Sequence, residues 1–268
     1  MAITSLDEYI AAARQVHTIR KIVNRPTLAA SWFSMLDIAG DPGAGVLPGT
    51  NQTSGVIPVA GDAGFPSLVA FASGAKGYLS RVDYSNSVAC RMRIVDVLWK
   101  GGAYPFNAAV TLSTQPDISN RLPQLNGVPL WNETEIWIET ATAATGNQTW
   151  SIAYTNQSDV TGKQTGVVGI GAAPTIGRMW KMPFAAGDVG VKKIESVTGG
   201  TGTVGTANVL IVRPLWTGRI FVANDGSIHG LDRTGMVEVF QNSALLFMLS
   251  PDSTASGMPE IQLEVCSA

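Results

Sequence analysis

The feature of this sequence that most constrains its fold is a series of short strand-like runs between residue 75 and the C-terminus. The last run alternates Ile261, Leu263 and Val265 with polar residues, which places the two sets on opposite faces of a strand. Further alternating or continuously apolar runs lie at residues 87–99, 135–141, 148–155, 193–197, 207–212, 219–223, 237–240 and 245–249. Turns rich in Gly, Asn and Asp separate the runs, without helical patterns between them. This order predicts an all-β body, a β-sandwich or jelly roll, rather than a parallel α/β sheet.

The N-terminal segment has a helical pattern instead. Ser5 and Glu8 have the spacing of a capping box, in which each side chain accepts a hydrogen bond from the other residue's backbone N–H. Apolar residues then recur at helical spacing from Leu6 to Val23, and Pro26 follows soon after. The spacing therefore predicts one helix that continues to Val23, with its basic residues on a solvated face near the C-terminal end.

Between this helix and the strand-like runs, the chain has the character of an extended arm. Residues 27–36 are apolar and include the adjacent Trp32 and Phe33, and residues 40–66 are dense in Gly, Pro, Asn and Thr. A loop of this length is unusual inside a compact domain. We therefore predict two units, an N-terminal helix and extended arm over residues 1–74 and a β-sandwich body over residues 75–268.

The low proportion of charged residues indicates that much of the surface is an interface. Only 14% of the residues are charged, against roughly 25% in a typical globular protein. Charged residues are depleted in the buried centres of protein interfaces, so burial against other subunits explains the deficit. The net charge of −2 provides no basic field for nucleic acid, and no apolar run of 18 residues predicts a membrane span. We expect no membrane partner, no specific nucleic acid and no secretory signal at the N-terminus.

The residues give little support for catalysis or cofactor binding. Gly200, Gly202 and Gly205 match a dinucleotide-binding fingerprint by spacing, but a β run follows where a helix is required, so we predict a hairpin tip. His229 lies near Asp225, Ser227 and Asp232, which we interpret as a polar turn rather than a catalytic triad. No catalytic residue, metal ligand or cofactor is predicted, and the chain is not expected to be an enzyme.

The two cysteines and the seven tryptophans have ordinary structural explanations. Cys90 and Cys266 lie in strand-like runs, where cysteine acts as a small core hydrophobe, and the sequence leaves open whether they are bridged. Tryptophan within strands belongs more often to a core or a subunit interface than to a carbohydrate platform.

Several phrases of the sequence, in this order, resemble a family of virion structural proteins of tailed bacteriophages. They are Gly77-Tyr78-Leu79-Ser80-Arg81, residues 95–99, residues 101–104, residues 145–149, residues 152–156, Arg213-Pro214-Leu215-Trp216 and residues 252–257. The resemblance implies a place in the virion, with assembly in the cytoplasm of the bacterial host. It also implies partners, namely the major capsid protein or other virion proteins and further copies of this chain, for example in a trimer. No long helix is predicted after Pro26, so an accessory head protein is favoured over the shell subunit itself.

The leading hypothesis is a non-enzymatic capsid decoration or cement protein whose first quarter docks on neighbouring subunits. The candidate docking residues are Leu6, Tyr9, Ile10, Arg14, Trp32 and Phe33. The alternatives are a tail, collar or fibre component, and a host-surface module that binds glycans through exposed tryptophan.

Overall fold

The computed structural model describes residues 3–46, 51–172, 174–200 and 204–268. About 50% of the chain is strand and 6% is helix, and the strands form several antiparallel sheets. The prediction of an all-β fold is therefore confirmed.

Twenty described strands and two short α-helices, α1 (Leu6–Ala11) and α2 (Leu231–Thr234), make up the regular structure. The first ten strands are β1 (Ala13–Lys21), β2 (Trp32–Ser34), β3 (Gly40–Asp41), β4 (Asn51–Val56), β5 (Gly77–Asn86), β6 (Cys90–Pro105), β7 (Ala109–Thr111), β8 (Gln124–Leu125), β9 (Val128–Pro129) and β10 (Glu135–Thr142). The second ten are β11 (Asn147–Asn156), β12 (Lys163–Gln164), β13 (Val168–Ala172), β14 (Arg178–Lys181), β15 (Val191–Gly199), β16 (Thr206–Ile220), β17 (Asp225–His229), β18 (Glu238–Val239), β19 (Leu245–Pro251) and β20 (Glu260–Ser267). Two 3-10 turns lie at Ser119–Arg121 and Trp131–Glu133.

The centre of the molecule is a closed sheet. Among the described strands, the order β16-β10-β14-β2-β19-β6 returns to its start because β6 also pairs with β16, and β4 is added beside β6. The closing pair is the longest in the structure, running antiparallel from Cys90 opposite Ile220 to Pro105 opposite Thr206. Closure removes exposed edges from these six strands.

Two open sheets lie against this barrel. One has the order β17-β5-β20-β1-β3 with β18 beside β5, and the other has the order β12-β11-β15-β7 with β13 beside β11. Three apolar cores result: one includes Val97, Leu210 and Met248 of the barrel strands, and the other two lie between the barrel and each open sheet. The hairpin of β8 and β9 stands apart from these described sheets.

The predicted strand at residues 207–212 and the first two residues of the one predicted at 219–223 belong to one strand, β16, which ends at Ile220. Residues 221–223 are not strand. Pro214 lies in its interior, where a proline normally interrupts the pairing because it lacks an N–H donor. The register with β6 shifts between Pro214 and Trp216, and this irregularity accommodates the proline. Ordinary strand alternation places Val209 and Ile211 of β16 in one core and Leu210 and Val212 in another.

The prediction of a helix as far as Val23 is wrong beyond Ala11. Residues 13–21 form β1, which pairs with β20 from Ala13 opposite Ser267 to Arg20 opposite Glu260. The basic residues that suited the end of a helix instead meet acidic partners across the sheet: Arg14 lies 3.5 Å from Glu264, and Arg20 lies 3.6 Å from Glu260. Cross-strand pairing has overridden a local helical pattern.

The expected solvated face of basic residues is also partly buried. Lys21 is buried, and its Nζ donates to the backbone oxygens of Ile38 and Pro42 at 3.0 and 3.1 Å. Burial, opposed by the charges of nearby aspartates, lowers the pKa of Lys21 to about 8. Arg25 is buried as well and pairs with Asp37.

The first quarter of the chain is not a free arm. Strands β1 and β2 pair with β20 and β19, and β4 pairs with β6, so residues 13–21, 32–34 and 51–56 contribute to the same sheets as the later part of the chain. Residues 47–50 of the predicted arm lie outside the described residues. Side-chain bonds add to this attachment, since Trp99 Nε1 donates to Ser54 O at 3.0 Å. The sheets therefore run across the predicted boundary at residue 75.

The prediction of a hairpin tip at Gly200–Gly205 is also wrong in its pairing. The strands on either side, β15 and β16, belong to different described sheets, so the connection crosses from an open sheet to the barrel. Residues 201–203 lie outside the described residues. Cys90 and Cys266 are both buried with free thiols, and burial raises the pKa of Cys90 to about 11.

A buried ion pair holds the barrel to its surrounding loops. Asp96 is fully buried on β6, where its carboxylate accepts hydrogen bonds from Arg121, from Ser243 Oγ at 2.7 Å and from Ala244 N at 3.0 Å. Arg213 of β16 is fully buried too, with Nη2 at 4.0 Å from the same carboxylate. Asp96 therefore compensates the charge of Arg121 and part of the charge of Arg213, which also lies 3.9 Å from Glu133 Oε2.

We expect Asp96→Asn to lower the free energy of unfolding by about 3–5 kcal/mol, because it removes the carboxylate that pairs with the buried Arg121 and leaves Arg213 with Glu133 alone. The matched control is Asp83→Asn, which removes the partner of the exposed Arg81 and should lower it by less than about 1 kcal/mol. Urea titration followed by fluorescence measures both. Equal losses in the two variants would contradict the role of Asp96.

Candidate functional site

Helix α1 is stabilised at its ends rather than by packing. Glu8 N donates to Ser5 Oγ at 3.2 Å and Ser5 N donates to Glu8 Oε2 at 3.0 Å, so the predicted capping box is confirmed. None of the six described residues of α1 is buried, and Leu6 and Ile10 are 67% and 62% exposed. A helix this short is marginal in water without packing partners. Its apolar side chains are presented to the surroundings.

Arg14 ties this helix to the adjacent open sheet. Its guanidinium lies over the Tyr9 ring, 4.6 Å from the centroid, and Nη2 donates to Tyr9 O at 3.0 Å. The Arg14 side chain also reaches Glu264 of β20. Four of the six predicted docking residues, Leu6, Tyr9, Ile10 and Arg14, therefore form one surface, which we call the α1 patch.

The other two predicted docking residues lie elsewhere. Phe33 is fully buried on β2, inside the barrel sheet, so its proposed role in docking is wrong. Trp32 is half-buried and packs edge-on against Trp137, with ring centroids 6.2 Å apart. The apolar run that contains both residues did not indicate whether it faces a partner or the protein's own core.

A cavity of about 390 Å³ lies at one end of the barrel. Its walls are mostly apolar, but Lys100, Glu139, Thr140 and Asn208 also line it. All four are buried, and Thr140 Oγ1 finds no hydrogen-bond partner among the described residues. A concave apolar site with a few converging polar groups is the usual form of a ligand or reaction site.

Three of these polar residues come from three neighbouring strands of the barrel. Glu139 on β10 is directly opposite Asn208 on β16, and Asn208 Nδ2 donates to Glu139 Oε2 at 2.9 Å. Lys100 on β6 is opposite Leu210, two residues further along β16. Burial raises the pKa of Glu139 and lowers the pKa of Lys100, so both charged forms are disfavoured.

Sequence reasoning missed this group because its members are far apart in the chain. Their only signal is the presence of single polar residues in strands that are otherwise apolar. Pairing of β10, β16 and β6 brings them together.

His229 is part of an aromatic cluster rather than a catalytic relay. Trp216 Nε1 donates to His229 Nδ1 at 2.9 Å, and Tyr84 Oη lies 3.1 Å from Nε2. Both ring nitrogens are therefore engaged. The interpretation of these residues as a polar turn is wrong in part, because Asp225–His229 form strand β17 and Asp232 lies in α2. Asp225 Oδ1 does accept a hydrogen bond from a neighbouring backbone group, Gly226 N, at 2.8 Å.

Most tryptophans are unsuited to a glycan platform. Four are buried, namely Trp99, Trp137, Trp150 and Trp216. Of the half-buried ones, Trp131 is covered by Lys192 at 5.3 Å and Trp180 by Arg178 at 4.8 Å from the ring centroids. One face of each of these two rings is already in contact with a cationic side chain.

Comparison with known proteins gives no family for this chain. No protein-family model and no curated protein matches it. It is similar to a chain in a structure of infectious bursal disease virus, Gt strain, at 10% identity and a TM-score of 0.17, covering 95% of this chain and 81% of that chain. A mutant VP2 protein of the same virus, in derived T=1 particles, gives 10% identity and a TM-score of 0.17 over 96% and 77% of the two chains. Scores this low establish no shared fold.

The described residues also lack two common kinds of site. Every helix among them falls short of the length and hydrophobicity needed to cross a membrane. No group of three or more His, Cys, Asp and Glu side chains in this part of the chain is arranged to hold a metal ion.

We expect acidification to destabilise the fold through His229. Desolvation, aided by Arg233 and opposed by Asp232, lowers its pKa below the ordinary 6.5, and a protonated Nδ1 would oppose the Trp216 N–H. The unfolded state then binds the proton more readily, so this contribution is complete above pH 6.5 and is lost as the pH falls below it.

Urea titrations between pH 7.5 and pH 5, values chosen to bracket roughly the ordinary histidine pKa, measure this effect. His229→Asn keeps a hydrogen-bond acceptor and should have a smaller pH dependence than the unchanged protein. His17→Asn is the comparison variant: desolvation lowers the pKa of His17 as well, so this variant measures the part of the pH dependence that comes from burial of a histidine without the Trp216 hydrogen bond. An unchanged pH dependence in His229→Asn would contradict the prediction.

Proposed function

We propose that the chain is a non-enzymatic structural protein of a bacteriophage virion, a head decoration or cement protein that docks on shell subunits through the α1 patch. The observation that carries this proposal is the exposure of Leu6 and Ile10 on a helix that is capped and tethered but has no buried residue. Exposed apolar groups that are held in a fixed geometry mark interaction sites.

A second exposed apolar group supports self-association. Phe221, Val222 and Ile228 are all exposed beside the edge strand β17. The two exposed groups lie at opposite ends of β5. The α1 patch is near Gly77, because β1 starts opposite Ser267 of β20 and Ser267 pairs with Gly77. Strand β17 pairs with the other end of β5, from Asn86 to Val82. Two separated surfaces of this kind suit a protein that contacts a shell and its own copies at once, so that weak contacts combine.

The low charge of the chain is consistent with extensive interfaces. Seven of its charged residues are buried inside the protein, which leaves even fewer on the surface than the composition implies. They are Lys21, Arg25, Asp96, Lys100, Arg121, Glu139 and Arg213. The resemblance to virion proteins of tailed phages supplies the proposed location.

We expect the double variant Leu6→Asp, Ile10→Asp to lose binding to shells that lack the protein. Each exposed side chain, once buried in an interface, contributes about 1.5–3 kcal/mol, so each substitution should weaken binding by about tenfold or more. Neither side chain packs in the chain's own core, so the melting temperature should stay unchanged. Co-sedimentation with purified shells measures the binding.

The matched control is Val167→Asp, which places the same charge at a 70% exposed site away from α1. It should bind as the unchanged protein does. Full binding by the double variant would overturn docking through the α1 patch. Deletion of residues 1–66 is a poorer test, because it would also remove strands of two sheets.

Immunogold labelling of purified virions tests the location. Label on the head surface supports a decoration or cement role, whereas label on the tail, collar or fibres supports the alternative structural role. Virions without label would overturn the proposal, and glycan-array binding that is lost in Trp131→Ala would favour a host-surface module instead.

A further inference from the structure

The polar group at the end of the barrel contains the components of an amide exchange reaction. Lys100 provides an amine, Asn208 a carboxamide and Glu139 a carboxyl group, and all three line the same cavity. Directly opposed residues of antiparallel strands point to the same face, as do alternate residues of one strand. Lys100, which is opposite Leu210, therefore shares a face with Asn208 and Glu139.

We propose that Lys100 and Asn208 become joined by an isopeptide bond between β6 and β16, with Glu139 as the proton-transfer group. Diagonal neighbours on paired strands lie about 7–8 Å apart, within reach of a long side chain such as lysine. Gly102 makes room for the carboxamide, because a Cβ at this position would lie 2.4 Å from Asn208 Oδ1.

The environment favours the reactive form of each group. An amine attacks only when it is unprotonated, and burial lowers the pKa of Lys100 although the charge of Glu139 opposes this shift. Burial likewise raises the pKa of Glu139, against hydrogen bonds from Asn208 and Ser34, so this carboxyl can hold the proton that the amine gives up. Its Oε2 already accepts a hydrogen bond from the nitrogen that would leave.

The reaction is balanced without any further reagent. Glu139 takes a proton from Lys100, and the lone pair of Nζ forms a bond to Cγ of Asn208. The bond from Cγ to Nδ2 then breaks, and its electron pair leaves with Nδ2, which receives a proton through Glu139 and departs as ammonia. One carbon–nitrogen bond replaces another, with no change of oxidation state. The fixed positions of the groups replace a slow bimolecular encounter.

A second Lys-Asn-acid group in the same protein serves as an internal comparison. Asn156 Nδ2 donates to Asp188 Oδ1 at 2.7 Å, and Lys163 Nζ lies 3.7 Å from the same oxygen. The Lys163 side chain is 32% exposed. Although desolvation acts to raise it, hydrogen bonds from Asn156 and Tyr154 and the charge of Lys163 hold the pKa of Asp188 below its usual value. An ionised acid beside a solvated lysine forms an ion pair, and we expect no bond here.

The link would join the two strands whose pairing closes the barrel. β6 and β16 contribute to all three apolar cores, so a covalent bond between them would resist opening of the whole body. This inference stands on the cavity residues alone and does not depend on the proposed place in a virion.

Intact-mass spectrometry of the purified full chain, followed by peptide mapping, tests the proposal. We expect a mass lower than that of the sequence by one ammonia, and a branched peptide that joins Lys100 to Asn208. Lys100→Met and Glu139→Gln should both have the full sequence mass, with Glu139→Gln retaining the size of the side chain. Circular dichroism checks that each variant is folded.

Two control variants exclude other sources of the mass change. Lys163→Met should still lose ammonia, because the group of Lys163, Asn156 and Asp188 is not expected to form a bond. Asn126→Gly removes the exposed Asn-Gly turn, where a succinimide would give the same mass, and should also still lose ammonia. An unmodified mass for the folded unchanged protein, or an ammonia loss that maps to other residues, would overturn the proposal. Complete linkage in Glu139→Gln would overturn the role of Glu139.

Discussion

The pairing of β6 with β16 is the interaction on which the rest of the structure depends. These two strands, of 16 and 15 residues, close the central sheet and supply side chains to all three cores. Shifts in their register turn successive segments toward different cores. Without this pair, the barrel would have two exposed edges and neither open sheet would have a complete surface to pack against.

Several of the few charged residues of the chain are buried and not exposed on its surface. Some are buried along the barrel strands, where Asp96 compensates buried arginines and where Lys100 and Glu139 lie in one cavity. Burial of this kind is unfavourable unless each charge is paired or neutralised. The surface that remains is poor in charge and carries exposed apolar groups at two separated sites.

The α1 patch is part of this surface, and its helix is formed by interactions between residues that are close together in the sequence. Ser5 and Glu8 form the helix start through neighbouring backbone groups, and Arg14 attaches the helix to the sheet through Glu264. The helix is therefore held in position although none of its apolar side chains is buried against the rest of the protein. Leu6 and Ile10 remain available for contact with another molecule.

The sequence by itself determined the capping box and the strands with clear alternation in the later part of the chain, because capping and alternation are set by residues close together in the chain. The strand-like run at residues 87–99 corresponds in the structure to the first part of β6, where Cys90, Met92 and Ile94 all lie in one core. Residues 13–21 were predicted to be helical, since only pairing with β20 reveals them as a strand. Phe33 could not be distinguished from an interface residue for the same reason. Closure of the barrel, and with it the meeting of Lys100, Glu139 and Asn208, was decided by tertiary structure alone, because contacts between distant strands leave no local pattern.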